Sequence, residues 1–193
     1  MACASADGLV PGMTGTPAAK GAPAEQTCQS CHDDLPLNPD ALGRIILAGV
    51  PAIYDLGRTY ELTVQLVHPD AVRWGFQLTA IGQGGSCGAG SFKPLPNDRS
   101  TQRSESALGR VYIQHGGTSR QATGIGTRRS YSWKFNWTAP TDDRGAVRFY
   151  GSAIMANGDG ANTGDRIYTP SPTPLVAIKG PGVGTTPAVP KCD

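Results

Sequence analysis

Residues 130–138 read Ser-Tyr-Ser-Trp-Lys-Phe-Asn-Trp-Thr, with Tyr131, Trp133, Phe135 and Trp137 at every second position. A period of two is the period of a β-strand, so the four rings share one face. On a helix the same spacing would scatter them around the girth. A strand with so apolar a face is not stable alone and needs a second apolar layer to cover it.

Other segments repeat the pattern. Residues 61–68 put Leu62, Val64, Leu66 and His68 on one face, and Thr63, Gln65 and Val67 on the other. Residues 74–81 align Phe76, Leu78 and Ala80, residues 110–115 align Val111 and Ile113, and residues 146–155 align Val147 and Phe149. Residues 44–48, 167–169 and 175–178 fit shorter strands, and the Gly/Ser/Pro-rich stretch 82–108 is a long connection with room for one more. Gly 26 and Pro 16 make up about a fifth of the chain, above the usual share of roughly 12%. They punctuate the pattern with turns. No internal repeat and no long amphipathic helix is present, which excludes a helical bundle. The expectation is an all-β protein, an immunoglobulin-like antiparallel β-sandwich of about seven short strands. Trp74, Trp133 and Trp137 belong to its core.

Three regions follow. Residues 1–43 form an N-terminal arm and attachment segment, residues 44–179 the sandwich, and residues 180–193 a flexible tail. The first 27 residues are small, polar and without a hydrophobic period, so they read as an extended, mobile arm. The net charge is +2 and the cations are scattered, which argues against nucleic acid as a partner. No apolar run reaches the roughly 18 residues a transmembrane helix requires. The opening Met-Ala-Cys reads as a mature start after removal of a leader. Cys3 is then a lipid anchor, a disulfide partner or a boundary residue.

The chemistry lies in Cys28-Gln-Ser-Cys31-His32. Cys-x-x-Cys-His is the attachment signature of c-type haem. Two thiols must reach the two vinyl groups, and the next residue must bring an imidazole nitrogen to the iron. Cys28 and Cys31 are therefore the expected thioether residues and His32 the proximal iron ligand of one covalent haem c. A redox dithiol would call for a βαβ context, and a zinc site for a second ligand pair. Neither is present. The candidates for the sixth iron position are His115, Met155, His68 and Met13. His115 is the first choice, because it ends a strand beside Gly116 and Gly117, which permit close approach of a flat cofactor. Met155, at the end of a strand near a Gly/Asn loop, is the alternative. His68 precedes a Pro-Asp turn, and Met13 would have to fold back from the arm. An open sixth site remains a further option.

If haem takes two of the five cysteines, Cys3, Cys87 and Cys192 leave one disulfide and one odd thiol, with any of the three pairings allowed. Residues 157–165 (Asn-Gly-Asp-Gly-Ala-Asn-Thr-Gly-Asp) carry oxygen ligands suited to Ca²⁺ but lack EF-hand spacing, so they read as a capped turn. Asn136-Trp-Thr138 matches a glycosylation sequon inside a strand, which discounts it. No Ser/His/Asp set, acid pair or phosphate loop suggests an enzyme.

Several stretches, in order, resemble a bacterial secreted domain related to the Reeler domain, often found with C-terminal surface-anchor signals. They are Tyr54-Asp-Leu-Gly-Arg-Thr-Tyr60, Arg73-Trp-Gly-Phe-Gln-Leu-Thr-Ala80 and Val111-Tyr-Ile-Gln-His115, then Trp133-Lys-Phe-Asn-Trp-Thr-Ala-Pro140 and Gly145-Ala-Val-Arg-Phe-Tyr150, and finally Ala156-Asn-Gly158 and Gly164-Asp-Arg-Ile-Tyr168. Similar members often begin Gly-Ala-Pro, as Gly21-Ala-Pro23 does, followed by Cys-x-x-Cys-His. The resemblance implies an immunoglobulin-like sandwich with the haem segment packed against it, and it singles out His115 as the distal position to test. Cys87 and Cys192 depart from the pattern. The functional expectation is an extracytoplasmic monohaem c-type cytochrome, periplasmic or at the cell surface, passing electrons to a redox partner protein. Two alternatives stand beside it: a surface adhesion or self-associating, filament-forming module that carries haem, and an open-site haem enzyme or gas sensor.

Overall fold

The computed structural model describes residues 9–19, 21–83, 85, 87–106, 109–116, 129–170 and, in backbone only, 176–179. The expectations placed on Cys3, Cys192 and the tail 180–193 lie outside the described residues.

The strands are β1 (Arg44–Ala48), β2 (Ile53–Tyr54), β3 (Thr59–Val67), β4 (Arg73–Ile81), β5 (Ser91–Pro94), β6 (Thr101–Glu105), β7 (Val111–His115), β8 (Ser130–Thr138), β9 (Val147–Ala156), β10 (Arg166–Tyr168) and β11 (Val176–Lys179). They form two sheets. The first has the order β1-β3-β8-β5, and the second has the order β2-β11-β9-β4-β7-β6, with β10 also on β9. Pairing is antiparallel throughout except between β11 and β2. This is the all-β, immunoglobulin-like sandwich that the alternation implies.

Each sheet is built on one long pair. In the first, β3 and β8 pair from Thr59↔Thr138 to Val67↔Ser130. In the second, β4 and β9 pair from Arg73↔Ala156 to Ile81↔Arg148. The apolar faces of these pairs meet. Phe76 lies against Trp133 with ring centroids 4.9 Å apart, and Trp137 meets Phe149 edge-on at 5.0 Å. Leu62, Leu66, Phe135, Val147 and Ile113 are fully buried among them. Burial of each such side chain is worth about 1.5–3 kcal/mol, which drives the two sheets together.

The stretch 82–108 contains two strands where room for one was expected. β5 joins β8 in the first sheet and β6 joins β7 in the second, so this connection crosses the sandwich. Both are short, half-exposed edge strands without an apolar period, and Pro94 sits where an edge strand tolerates it.

The N-terminal segment is not a free arm. Residues 9–19 and 21–28 lie along the outer face of the second sheet, and residues 38–43 pass β10 and His68. Gln77 of β4 accepts the amides of Gly12 (3.1 Å) and Met13 (2.7 Å) at Oε1, and donates from Nε2 to Val10 O (2.9 Å) and Gln114 Oε1 (2.6 Å). Gln114 of β7 donates to Leu9 O at 3.0 Å. Glu25 enters a buried site and accepts from Arg110 (2.6 Å), from the Tyr112 hydroxyl (2.7 Å) and from Thr14. Farther on, Asn38 bonds to Ile167 O and the Thr169 amide, both at 2.9 Å, and Asp40 accepts the Tyr168 hydroxyl at 2.7 Å. Gly43 must lack a side chain, because a Cβ there would lie 2.1 Å from the Tyr168 ring.

Candidate haem-attachment site

The Cys-x-x-Cys-His motif folds as a 3-10 turn over Cys28–Ser30. The Thr27 hydroxyl caps it by accepting the Gln29 amide at 3.3 Å, and Cys28 O accepts the amides of Cys31 and His32, both at 3.3 Å. Five residues are thereby wound into one turn, and its two ends, Cys28 and His32, are buried.

The Cys28 amide donates to Ser152 Oγ at 3.1 Å. Its side chain packs with Leu9, Ile167, Met13 and Ile154 in a small apolar cluster separate from the main core. Ser152 and Ile154 alternate with the core-facing Ala153 and Met155 on β9, so Cys28 sits on the outer face of the second sheet. Burial pushes its thiol up to about 11, only partly opposed by Ser152. At neutral pH it is a protonated thiol, unlike the exposed, activated thiolate of a redox dithiol. Cys28 is a free thiol, whereas Cys31 and Cys87 are each disulfide-bonded. A sulfur held in a disulfide cannot also carry a thioether, so the two fates of Cys31 exclude one another.

His32 Nδ1 lies 2.9 Å from Asp165 Oδ2, an oblique approach off the ring N–H axis. Asp165 is itself buried, and its other oxygen accepts the Asn157 amide at 3.1 Å. Nδ1 faces the carboxylate without forming a hydrogen bond to it.

His115 lies on the same side of the sheet. The β4–β7 ladder ends at Gln77↔Gln114, and the His115 ring takes the next position. Its Nδ1 is 3.1 Å from the Phe76 amide and 3.2 Å from Phe76 O. Gly75 makes this possible, since a Cβ there would lie 2.9 Å from His115 Cε1 and 3.0 Å from Ile154 Cγ2. Ile154 pairs with Gly75 on one side and with Ile167 of β10 on the other. A row of Gly75, Ile154 and Ile167 therefore runs from the His115 ring toward the end of the sheet where Asp165 precedes β10. From β4 to β10 is two strand spacings, roughly 10 Å. Burial lowers the pKa of His115, which keeps it neutral, as an iron ligand must be.

Among solved structures the chain is similar to the Reelin-N domain of F-spondin, at 18% identity and a TM-score of 0.51 over 79% of this chain and 97% of that one. It is also similar to the human F-spondin reeler domain (fragment 1), at 19% identity and a TM-score of 0.48 over 72% and 90% of the two chains. No family model and no curated protein matches the chain. The fold is Reeler-like.

On this Reeler-like sandwich the remaining expected residues fall in different places. Met155 is fully buried in the main core, on the face of β9 opposite Cys28. Met13 packs in the Cys28 cluster, with its sulfur 3.8 Å from Ser30 Oγ. Of the two methionines, the one expected in a mobile arm is the one beside the motif. His68 is fully buried, with Nδ1 accepting the Asp70 amide at 3.1 Å and Nε2 3.7 Å from Asp40 Oδ2. It braces the segment after the motif. The 157–165 loop closes on itself: Asn157 and Asp159 cap each other and the Ala161 amide. Asn136 lies within β8, paired with Glu61 and Lys93. Among the described residues no group of three or more His, Cys, Asp or Glu side chains is arranged to hold a bare metal ion, and no helix is long and apolar enough to cross a membrane.

Asp165, Ser152, Gln77 and Gln114 were not foreseen as part of the site. Asp165 stood in the stretch weighed for Ca²⁺, and no local pattern links it to a histidine 133 positions earlier.

Proposed function

We propose that this protein is an extracytoplasmic Reeler-like module that carries one haem c at Cys28, Cys31 and His32 and transfers electrons. The observation that carries the reading is the placement of His32, buried at the end of a Cys-x-x-Cys-His turn with its Nδ1 2.9 Å from Asp165, on the outer face of the sheet against which the His115 ring also lies. Bound there, a haem would supply reversible one-electron chemistry at iron. Cys28 and, once freed from its disulfide, Cys31 would hold it, with His32 and His115 as the iron ligands. Disulfide bonding of Cys87 supports an oxidising compartment, periplasmic or at the cell surface. A redox partner protein would complete the function.

The disulfide at Cys31 favours a second reading, a haem-free or haem-accessory adhesion or self-assembling module stapled at this turn. A pyridine-haemochrome assay with mass measurement on protein matured in a host with haem-attachment machinery decides between them. The first reading expects one covalent haem, a low-spin six-coordinate spectrum that does not respond to CO, and loss of that spectrum in His115→Ala. A colourless protein with Cys31 in a disulfide supports the second. A ferrous form that binds CO readily would instead point to an open-site sensor or enzyme.

A further inference from the structure

We propose that strand β1 is a self-association edge, at which two copies of this chain pair antiparallel about Ile46 and join their first sheets into one. The inference does not depend on haem. It deepens the self-assembling reading by giving it a defined surface.

β1 ends the first sheet. It pairs with β3 from Arg44↔Val67 to Ala48↔Thr63, and among the described residues no backbone group of β1 bonds to any other segment. In an antiparallel strand alternate residues turn their N–H and C=O away from the partner. The free side of β1 therefore presents a row of unmet donors and acceptors. Other edges of the sandwich are blunted. β5 has four residues with Lys93 and Pro94, β6 carries Arg103 and Glu105, and β2 has two residues. From Ile45 to Ala48, β1 holds no charge, proline or glycine. An edge of this kind is a template for another strand.

The strand's own sequence selects a second copy as that partner. Pairing Arg44-Ile-Ile-Leu-Ala48 antiparallel with itself sets Ile46 against Ile46, Ile45 against Leu47 and Arg44 against Ala48. The period of two keeps both faces in register. Ile45 and Leu47, which pack on the core, then meet across the junction and close the open side of both cores. Ile46, 41% exposed, is covered by its counterpart. β2 lies on the same flank, since only residues 49–52 separate it from β1. Among the described residues six large apolar side chains are exposed, and four of them, Leu42, Ile46, Ile53 and Leu56, fall within the stretch that builds this flank. A two-fold axis through the Ile46 pair closes the assembly as a dimer. A five-residue strand buries less than the roughly 1,200 Å² of a stable interface, so the dimer is reversible.

Sedimentation equilibrium of the full chain over a concentration series tests this. Wild type is expected to show a reversible monomer–dimer equilibrium. Ile46→Lys changes an exposed position, so its circular dichroism should match wild type. It should weaken the dimer roughly tenfold or more, because two lysines would face each other. Ala48→Glu should tighten the dimer about several-fold, since symmetry creates two pairs with Arg44, and Ala48→Arg should weaken it by a similar factor. A wild type that stays monomeric overturns both this surface and the self-assembling reading. Assembly that survives Ile46→Lys overturns this surface alone. A response of the same sign to both Ala48 variants overturns the register.

Discussion

Strand β4 is buried on both faces, and the two faces are covered by different chemistry. Its inner face carries Trp74, Phe76, Leu78 and Ala80 into an apolar core shared with β3, β8 and β9. Its outer face carries Gly75, Gln77 and Thr79, and there the cover is the N-terminal segment, held by hydrogen bonds and a buried ion pair. The inner contacts are non-directional and tolerate small shifts. The outer contacts are directional, and each buried polar group depends on a few named partners. The sandwich is therefore expected to persist without its cover, whereas the cover has no structure without the sandwich.

The largest effect should come from the inner face. Phe135→Ala removes a fully buried ring and should cost about 3–5 kcal/mol in urea unfolding, shared by every probe of structure. Gln77→Ala strips the partners from Gly12, Met13, Val10 and Gln114. It should cost about 1–3 kcal/mol and release residues 9–16 to proteolysis and hydrogen exchange while the core strands stay protected. Equal loss of protection in both regions would break the comparison.

Acid should act on the cover next. His68 is held below the ordinary histidine value of 6.5 by burial, with Arg166 adding to it against Asp40 and Asp70. His115 is lowered by burial too. Groups depressed in this way contribute stability that is whole above 6.5 and is lost as pH falls toward their folded values. Protonating His68 at Nδ1 also breaks its bond from the Asp70 amide. For Asp40, burial pushes upward, but Tyr168, the Leu42 and Gly43 amides and His68 outweigh it, so its contribution persists to lower pH. Stability should fall between pH 7 and 5, and His68→Leu should flatten that slope. An unchanged slope would remove His68 from the account. The smallest effect belongs to Lys134→Ala, which breaks an exposed pair with Glu61 and should cost under about 1 kcal/mol.

The same division explains what was legible beforehand. β3, β4, β8 and β9 follow from strict alternation of large apolar residues, because a strand must send alternate side chains to opposite faces. β5 and β6 did not announce themselves, since edge strands need no apolar face. The motif residues Cys28, Cys31 and His32 are local in sequence and were read directly. The docking of residues 9–27 was missed because its anchors are single glutamines, an arginine and a serine with no period. Met13 and Met155 were weighed without knowledge of which face each would occupy.

By itself the sequence determined that the chain makes a two-layer β-sandwich and that one short segment carries two cysteines and an imidazole, because both are written in residues a few positions apart. Only the tertiary structure decided that Asp165 meets His32, that Gly75 makes room for His115, and that Met13 lies beside the motif while Met155 lies in the core. Those contacts join positions far apart in the chain, and no short-range pattern records which strands will become neighbours.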